Sequence, residues 1–262
     1  MRNKRRQAGV TLVEMTVVVA IAALMVGLTI PAANMLLNSF ESESGAKSIV
    51  SSALASARAI AAKEQRYAGI RFQKRYDPNN SDPLNESQYI VFIIYDYEAT
   101  NLANGFRAVD GIQPIKLPDS IGLMDFLYNT SLGGATPDGS FANSNVLRDT
   151  TTFSIVFSPS GKLVIHDVQT RNKNGQYNPA TPSASGYDDI FNSYVNIINN
   201  GLGMFVQDDY PLDGLDKEPS RNSFVIYDTK KLKQTNVNYR WTNYLSQLKP
   251  IYINPYTGTI IN

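Results

Sequence analysis

Residues 15–33 carry no charged side chain, and most of those 19 positions are valine, alanine, isoleucine, leucine or methionine. As an α-helix the run would span roughly 28 Å, close to the hydrocarbon thickness of a bilayer. A helix that is apolar on every side has no face to turn to water, so it requires lipid or a bundle of similar helices. Arg2, Lys4, Arg5 and Arg6 precede it. Basic residues stay on the cytoplasmic side of a span, which puts the rest of the chain across the membrane. The expectation is a single-pass anchor. Two other readings share this start: a secretory signal peptide cut after Ala22, and a plain membrane anchor. The apolar run continues well past Ala22, and Glu14 would interrupt a signal peptide's hydrophobic region, so the first is disfavoured.

Glu14 is the second constraint. An ionised carboxylate within an apolar segment costs at least about 2.5 kcal/mol unless it lies at the interface or is paired. No basic side chain follows it nearby. A free α-amino group at Val10, created by cutting after Gly9, would supply a positive partner. Within one helix the pair would sit about a turn apart. Between neighbouring chains it would set the stagger of one subunit on the next.

What the anchor carries is bounded by composition. The chain has 262 residues, 43% hydrophobic and 18% charged, so it can bury a proper core and is neither disordered nor multispan. It has no cysteine, which excludes disulfides, thiol nucleophiles, thiolate zinc sites and iron–sulfur clusters. His166 is the one histidine, so a multi-histidine metal site within one chain is excluded too. The net charge is +1, with four of the basic residues in the leader, so nucleic acid is not an expected partner.

The stretch Gly9-Val10-Thr11-Leu12-Val13-Glu14, behind its short basic leader, resembles the prepilin cleavage and methylation motif of type IV pilins and type II secretion pseudopilins. The resemblance implies that a prepilin peptidase cuts between Gly9 and Val10 and methylates the new amino terminus. Glu14 then becomes the fifth residue of the mature chain, the family's acidic position, and Pro31 falls where many members have a helix-kinking proline. Val10 departs from the phenylalanine or methionine usual at that site.

Beyond the apolar run, Ala46, Ile49, Val50, Ala53, Leu54, Ala57, Ile60 and Ala61 recur at three- and four-residue steps, the stripe of a helix packed on a core. The spacing predicts one helix over about residues 10–65, bent at Pro31 and loosened at Gly45. Small residues (Ser44, Gly45, Ser51, Ser52, Ala55, Ser56) would allow close packing elsewhere on it. From Tyr67 the pattern turns to strands, expected over 67–72, 88–95, 151–157, 162–168, 223–227, 251–253 and 259–261. Turn chemistry at 77–83, 158–161 and 254–258 separates several of them. Residues 188–198 read as a short helix. The helix end at 53–61 with Gly69-Ile70-Arg71-Phe72, and the later Phe157-Ser158-Pro159-Ser160-Gly161, resemble the helix end, first strand and hairpin of H-type minor pseudopilins and related minor pilins.

Reactive constellations are sparse. His166 beside Asp167 lacks a Gly-x-Ser-x-Gly elbow, and no phosphate-binding loop of the Gly-x-x-x-x-Gly-Lys kind occurs, so no catalytic residue is assigned and the chain is not read as an enzyme. Asp208, Asp209, Asp213 and Asp216, with Glu218 and Gly214, are the residues that would gather oxygen ligands for calcium, the one cofactor considered; their spacing is not that of an EF-hand. Residues 167–174 are a weaker candidate. The 15 tyrosines fit either half-buried strand positions or contacts with protein or glycan.

The fold expected is α+β: a long N-terminal transmembrane α-helix packed on a C-terminal antiparallel β-rich head, the pilin-like lollipop. Its parts are a leader (1–9), the transmembrane and assembly half of the helix (10–37), its amphipathic half (38–66), and the head (67–262) with a loop-rich insertion at about 172–219. The resemblance implies a minor structural subunit of a type II secretion pseudopilus or type IV pilus. Its partners would be the prepilin peptidase, other pilins or pseudopilins in a helical fibre, and an inner-membrane assembly platform. It would be stored in the inner membrane with its head in the periplasm, then moved into the fibre. The alternative is an adhesin or ligand-binding module delivered on a pilin stalk.

Overall fold

A computed structural model describes residues 15–19, 21, 43–74, 82–100, 103–125, 136–169 and 218–261. The expected helix over 10–42 is therefore described only at residues 15–19 and 21, which are helical. The expected helix at 188–198 and nearly all of the insertion lie outside the described residues.

Helix α1, Glu43–Glu64, is the scaffold of the head. Ala46, Val50, Ala53, Leu54, Ala57 and Ala61 form its buried stripe, with Ile49 and Ile60 partly buried beside it. Four of those six buried residues are alanine, so the helix backbone can lie close on the sheet. Val50 and Leu54 each contribute roughly 1.5–3 kcal/mol by leaving water. Gln65 ends the helix in the left-handed region, at φ 52°, and its amide donates back to the Ala62 carbonyl at 2.6 Å. Glu43 pairs with Lys47 at 2.9 Å at the other end.

The chain then reverses. Strand β1, Ala68–Lys74, pairs antiparallel with β2, Gln88–Tyr95, on one side and with β6, Phe153–Phe157, on the other. Adding β3 (Phe106–Ala108), β4 (Ile115–Lys116) and β7 (Leu163–Val164) makes a six-stranded sheet of order β3-β2-β1-β6-β7, with β4 on β2. Ala68, Ile70 and Phe72 face α1, joined by Phe153, Ile155 and Phe157, as the alternation in the sequence requires. Phe72 and Phe153 are cross-strand partners whose rings stack at 4.6 Å. At Gly69 a Cβ would lie 2.1 Å from the Ile155 carbonyl oxygen, so only glycine lets these two strands meet there. The opposite face of β1 is polar and buried: Arg71 donates to Gln73 and to Ser154.

A second antiparallel sheet has the order β12-β11-β10-β5, built from β5 (Ile121–Met124), β10 (Ser223–Asp228), β11 (Ile251–Ile253) and β12 (Ile260–Ile261). Phe224, Ile226, Ile251 and Ile253 join the core under α1. Behind the second sheet lies a cluster of Leu84, Met124, Phe141, Leu147, Val225, Tyr227, Leu232 and Leu245. It is closed by short helices, α3 (Pro137–Ala142), α4 (Ser144–Thr150), α5 (Thr229–Gln234) and α6 (Arg240–Asn243). A further one-turn helix, α2, spans Tyr97–Thr100.

Two expectations need correction. The strand expected over 151–157 starts at Phe153, because the Thr151 amide and hydroxyl both bond to Leu147 in α4. The single strand expected over 162–168 is two pieces, β7 and β8 (Asp167–Val168). Ser220 causes the break: its hydroxyl donates to the Val164 carbonyl and accepts from the His166 amide, which takes that segment out of the β6 ladder. Strand β8 pairs instead with β9, Glu218–Pro219. The two ends of the insertion thus meet in one short antiparallel stem.

Candidate functional site: the assembly helix and its seat on the head

Residues 15–19 and 21 present the anchor sequence as an uncovered helical surface. Met15, Val17, Val18, Val19 and Ile21 are 52–63% exposed. Apolar side chains left so open on one element mark a surface awaiting lipid or protein. Among the described residues no helix is long and apolar enough to cross a membrane. Gly9, Val10, Glu14 and Pro31 lie outside the described residues. So do Asp208, Asp209, Asp213 and Asp216.

The helix is seated on the head by apolar packing and by one polar clamp. Arg58 donates from Nε to the Gly161 carbonyl and from a terminal nitrogen to the Thr257 carbonyl, each at 2.8 Å. These acceptors sit in the two sharp turns read from the sequence. Gly161 (φ 75°) and Gly258 (φ 69°) occupy the left-handed region, where a side chain would be strained. They also make room: a Cβ on Gly161 would approach Arg58 Nε at 3.1 Å, and one on Gly258 would approach the Phe157 ring at 2.8 Å. Arg58 is absent from the buried stripe that the sequence spacing picks out, and nothing in that spacing gave it a task. The signal that could have found it is the pair of glycine turns, each exposing carbonyls beside the helix.

At the far end of α1, His166 is a packing residue. Its ring lies 4.3 Å from that of Tyr67, with Phe106 at 5.6 Å and Tyr95 at 6.3 Å. Its Nδ1 donates to the Asp167 carbonyl at 2.5 Å. Nearby, Asp96 accepts from Arg107 at 2.6 Å, with Arg66 at 3.8 Å. A pocket of about 390 Å³ opens there, lined by Arg66, Tyr67, Tyr95, Asp96, Tyr97 and Glu98 among others.

The stem of the insertion is tied down by Arg221, which reaches Asp125 at 2.5 Å and Glu218 at 2.8 Å. Glu218, counted among the acidic residues of the calcium candidate, is therefore committed to an arginine. Among the described residues no group of three histidine, aspartate or glutamate side chains could hold a metal ion.

The buried side of the second sheet holds two polar side chains, Tyr227 and Arg240. Tyr227 fits against Gly122, where a Cβ would meet its ring at 2.1 Å, and among the described residues its buried hydroxyl has no hydrogen-bond partner. Burial drives that hydroxyl's pKa far above its usual range, with Tyr244 and Asp82 adding to the effect. Burial also lowers Arg240 from its ordinary value.

No curated protein and no solved structure matches the chain. Residues 4–30 match the family described as the prokaryotic N-terminal methylation motif, which covers most of the leader, Gly9, Val10, Glu14 and most of the apolar run. Such a motif points to a structural and not an enzymatic class of protein, one handled by a peptidase at the membrane and then assembled. The chain thus carries a prokaryotic N-terminal methylation motif, consistent with the type IV pilin and pseudopilin family.

Proposed function

We propose that the protein is a minor structural subunit of a pilin-type fibre, either a type II secretion pseudopilus or a type IV pilus. The match at residues 4–30 carries this reading. An amphipathic helix laid on an antiparallel head, with uncovered apolar residues at its N-terminal side, supports it. A prepilin peptidase would cut between Gly9 and Val10 and methylate Val10. The Glu14 carboxylate would then pair with the new amino terminus of a neighbouring chain, and Pro31 would bend the helix within the bundle. Head-to-tail stacking of staggered helices gives a repeat that does not close, which is what a fibre needs. The subunit would wait in the inner membrane with its head in the periplasm, and reach the fibre through an assembly platform.

The N-terminal peptide of the native protein from a membrane preparation tests this directly. The expected mass is that of a methylated peptide beginning at Val10. A chain beginning after Ala22, or an intact Met1, overturns the reading.

A second reading, a ligand-binding head on a pilin stalk, is favoured by the tyrosine-rich pocket at Tyr67, Tyr95 and Tyr97. Glycan binding that is lost in a Tyr97→Ala variant would support it, since Tyr97 is 53% exposed and its removal leaves the core intact.

A further inference from the structure

The charge of the head is unevenly placed. Strand β1 leaves α1 after a three-residue turn and runs back along it, so Lys74 lies toward the Glu43 end of the helix. A chain of contacts leads on from there: Lys74 pairs in register with Gln88, Ser87 donates to Asp119 at 2.9 Å, and the Ser120 carbonyl accepts from the Thr229 amide at 2.9 Å. Helix α5 begins at that amide, and the Asp228 amide before it donates to the Tyr244 hydroxyl at 2.7 Å. The Glu43 charge adds to the upward push on this hydroxyl, whose main cause is burial. The segment over residues 229–250 therefore forms the base of the head, on the side where the anchor enters.

That base is basic. Residues 229–250 contain no aspartate or glutamate. Lys230, Lys231, Lys233 and Lys249 are all exposed, and among the described residues none of them makes an ion pair. The acids around them are occupied. Glu43 pairs with Lys47, Asp119 pairs with Lys116, and Asp228 accepts from the Lys231 amide. Asp138 accepts from Trp241 and Thr242. Val237 and Tyr239 stand among the lysines at 45% and 54% exposure, and tyrosine is a side chain suited to a membrane–water boundary.

We infer that this base is a lipid-contact surface: in the stored subunit Lys230, Lys231, Lys233 and Lys249 rest on anionic phospholipid headgroups, with Tyr239 and Val237 at the interface. The inference deepens the proposed function and rests on its single-pass anchor. Chain length permits the contact. From Leu37, at the end of the expected span, to Glu43 is roughly 9 Å as a helix and at most about 20 Å extended. Each lysine at an anionic surface is worth roughly a fivefold change in occupancy, within a Debye length of about 8 Å at physiological salt. Nucleic acid would also attract these lysines, but their place beside the anchor favours lipid. Leaving the membrane for a fibre would then mean breaking this contact.

Trp241 is the chain's one tryptophan and lies within the stretch, so it reports on the contact without a label. The full-length protein is reconstituted into vesicles of phosphatidylcholine alone, or of phosphatidylcholine with phosphatidylglycerol, each containing a trace of lipid spin-labelled at the headgroup. The expected result is flotation with both kinds of vesicle, and Trp241 quenching roughly fivefold or more stronger with phosphatidylglycerol at low salt. High salt abolishes the difference. So does the combined variant Lys230→Glu, Lys231→Glu, Lys233→Glu, Lys249→Glu, whereas Lys63→Glu with Lys162→Glu, at the other end of the head, preserves it. Should the fourfold variant melt early, the lipid and salt arms on the unaltered protein still decide. Equal quenching in both vesicles, with flotation intact, overturns the docking and leaves the anchor standing. Failure to float with phosphatidylcholine vesicles overturns the anchor and the docking together. Relief of the Trp241 quenching in anionic vesicles by an equimolar short DNA duplex, with flotation intact, overturns the lipid assignment in favour of nucleic acid.

Discussion

Single residues do more here than their positions in the sequence suggest. Arg58 is the example: it makes two hydrogen bonds from a charged donor across 103 and 199 residues of chain. Removing it in Arg58→Ala leaves the Gly161 and Thr257 carbonyls to water, an expected loss of about 1–3 kcal/mol in denaturant unfolding. Arg58→Lys recovers only part of it, because an ammonium cannot reproduce the planar fork. Asp138 gives a second test. It is half-buried at the surface, and its carboxyl is held below its ordinary value, chiefly by the Thr242 hydroxyl and further by the Thr242 and Trp241 amides. A carboxyl with a lowered folded-state pKa contributes stability that is present above its unfolded value of 3.8 and lost as pH falls through the folded value. Acidification below that range is therefore expected to loosen α6 and change the Trp241 emission before the head unfolds, and Asp138→Asn is expected to flatten the change. The alanines of α1, the Phe153-Ile155-Phe157 alternation and the glycine turns were legible because each follows from local periodicity or backbone geometry. Arg58 and Asp138 were not, since their partners come from distant parts of the chain.

At the scale of elements, legibility followed length. Strands β1, β2, β6, β10 and β11 lie close to where their patterns put them, and β2 matches its expected bounds. The four short helices around the second cluster were not anticipated, because four to seven residues give too little periodicity to distinguish a helix from a turn. The broken strand at Ile165 and His166 was missed for another reason. Its residues alternate as a strand should, and only Ser220, 54 residues later, diverts them. The pairing of β8 with β9 has a practical outcome: residues 170–217 leave and return at one point. Replacing them with a short glycine-rich linker between Gln169 and Glu218 is expected to preserve a cooperative thermal transition within a few degrees. Loss of that transition would mean that the insertion is part of the core rather than an appendage to it.

For the whole molecule, the sequence carried two kinds of information unequally. The motif at residues 4–30 speaks to how the chain is handled, and it needs no folded partner to be read. The head speaks to what the chain does once handled, and there the sequence was quiet, because charge placement and pocket shape arise only when distant segments are brought together. One arrangement has a mechanical meaning. The buried stripe of α1 lies along its whole length on the strands beneath it, and Arg58 pins its far half to two turns. A pull applied along the helix from its N-terminal end loads that whole interface in shear, so its contacts share the force and must yield together. The same contacts pulled sideways would peel one after another. The joint between stalk and head is thus strongest along the one direction in which a fibre would tug on it.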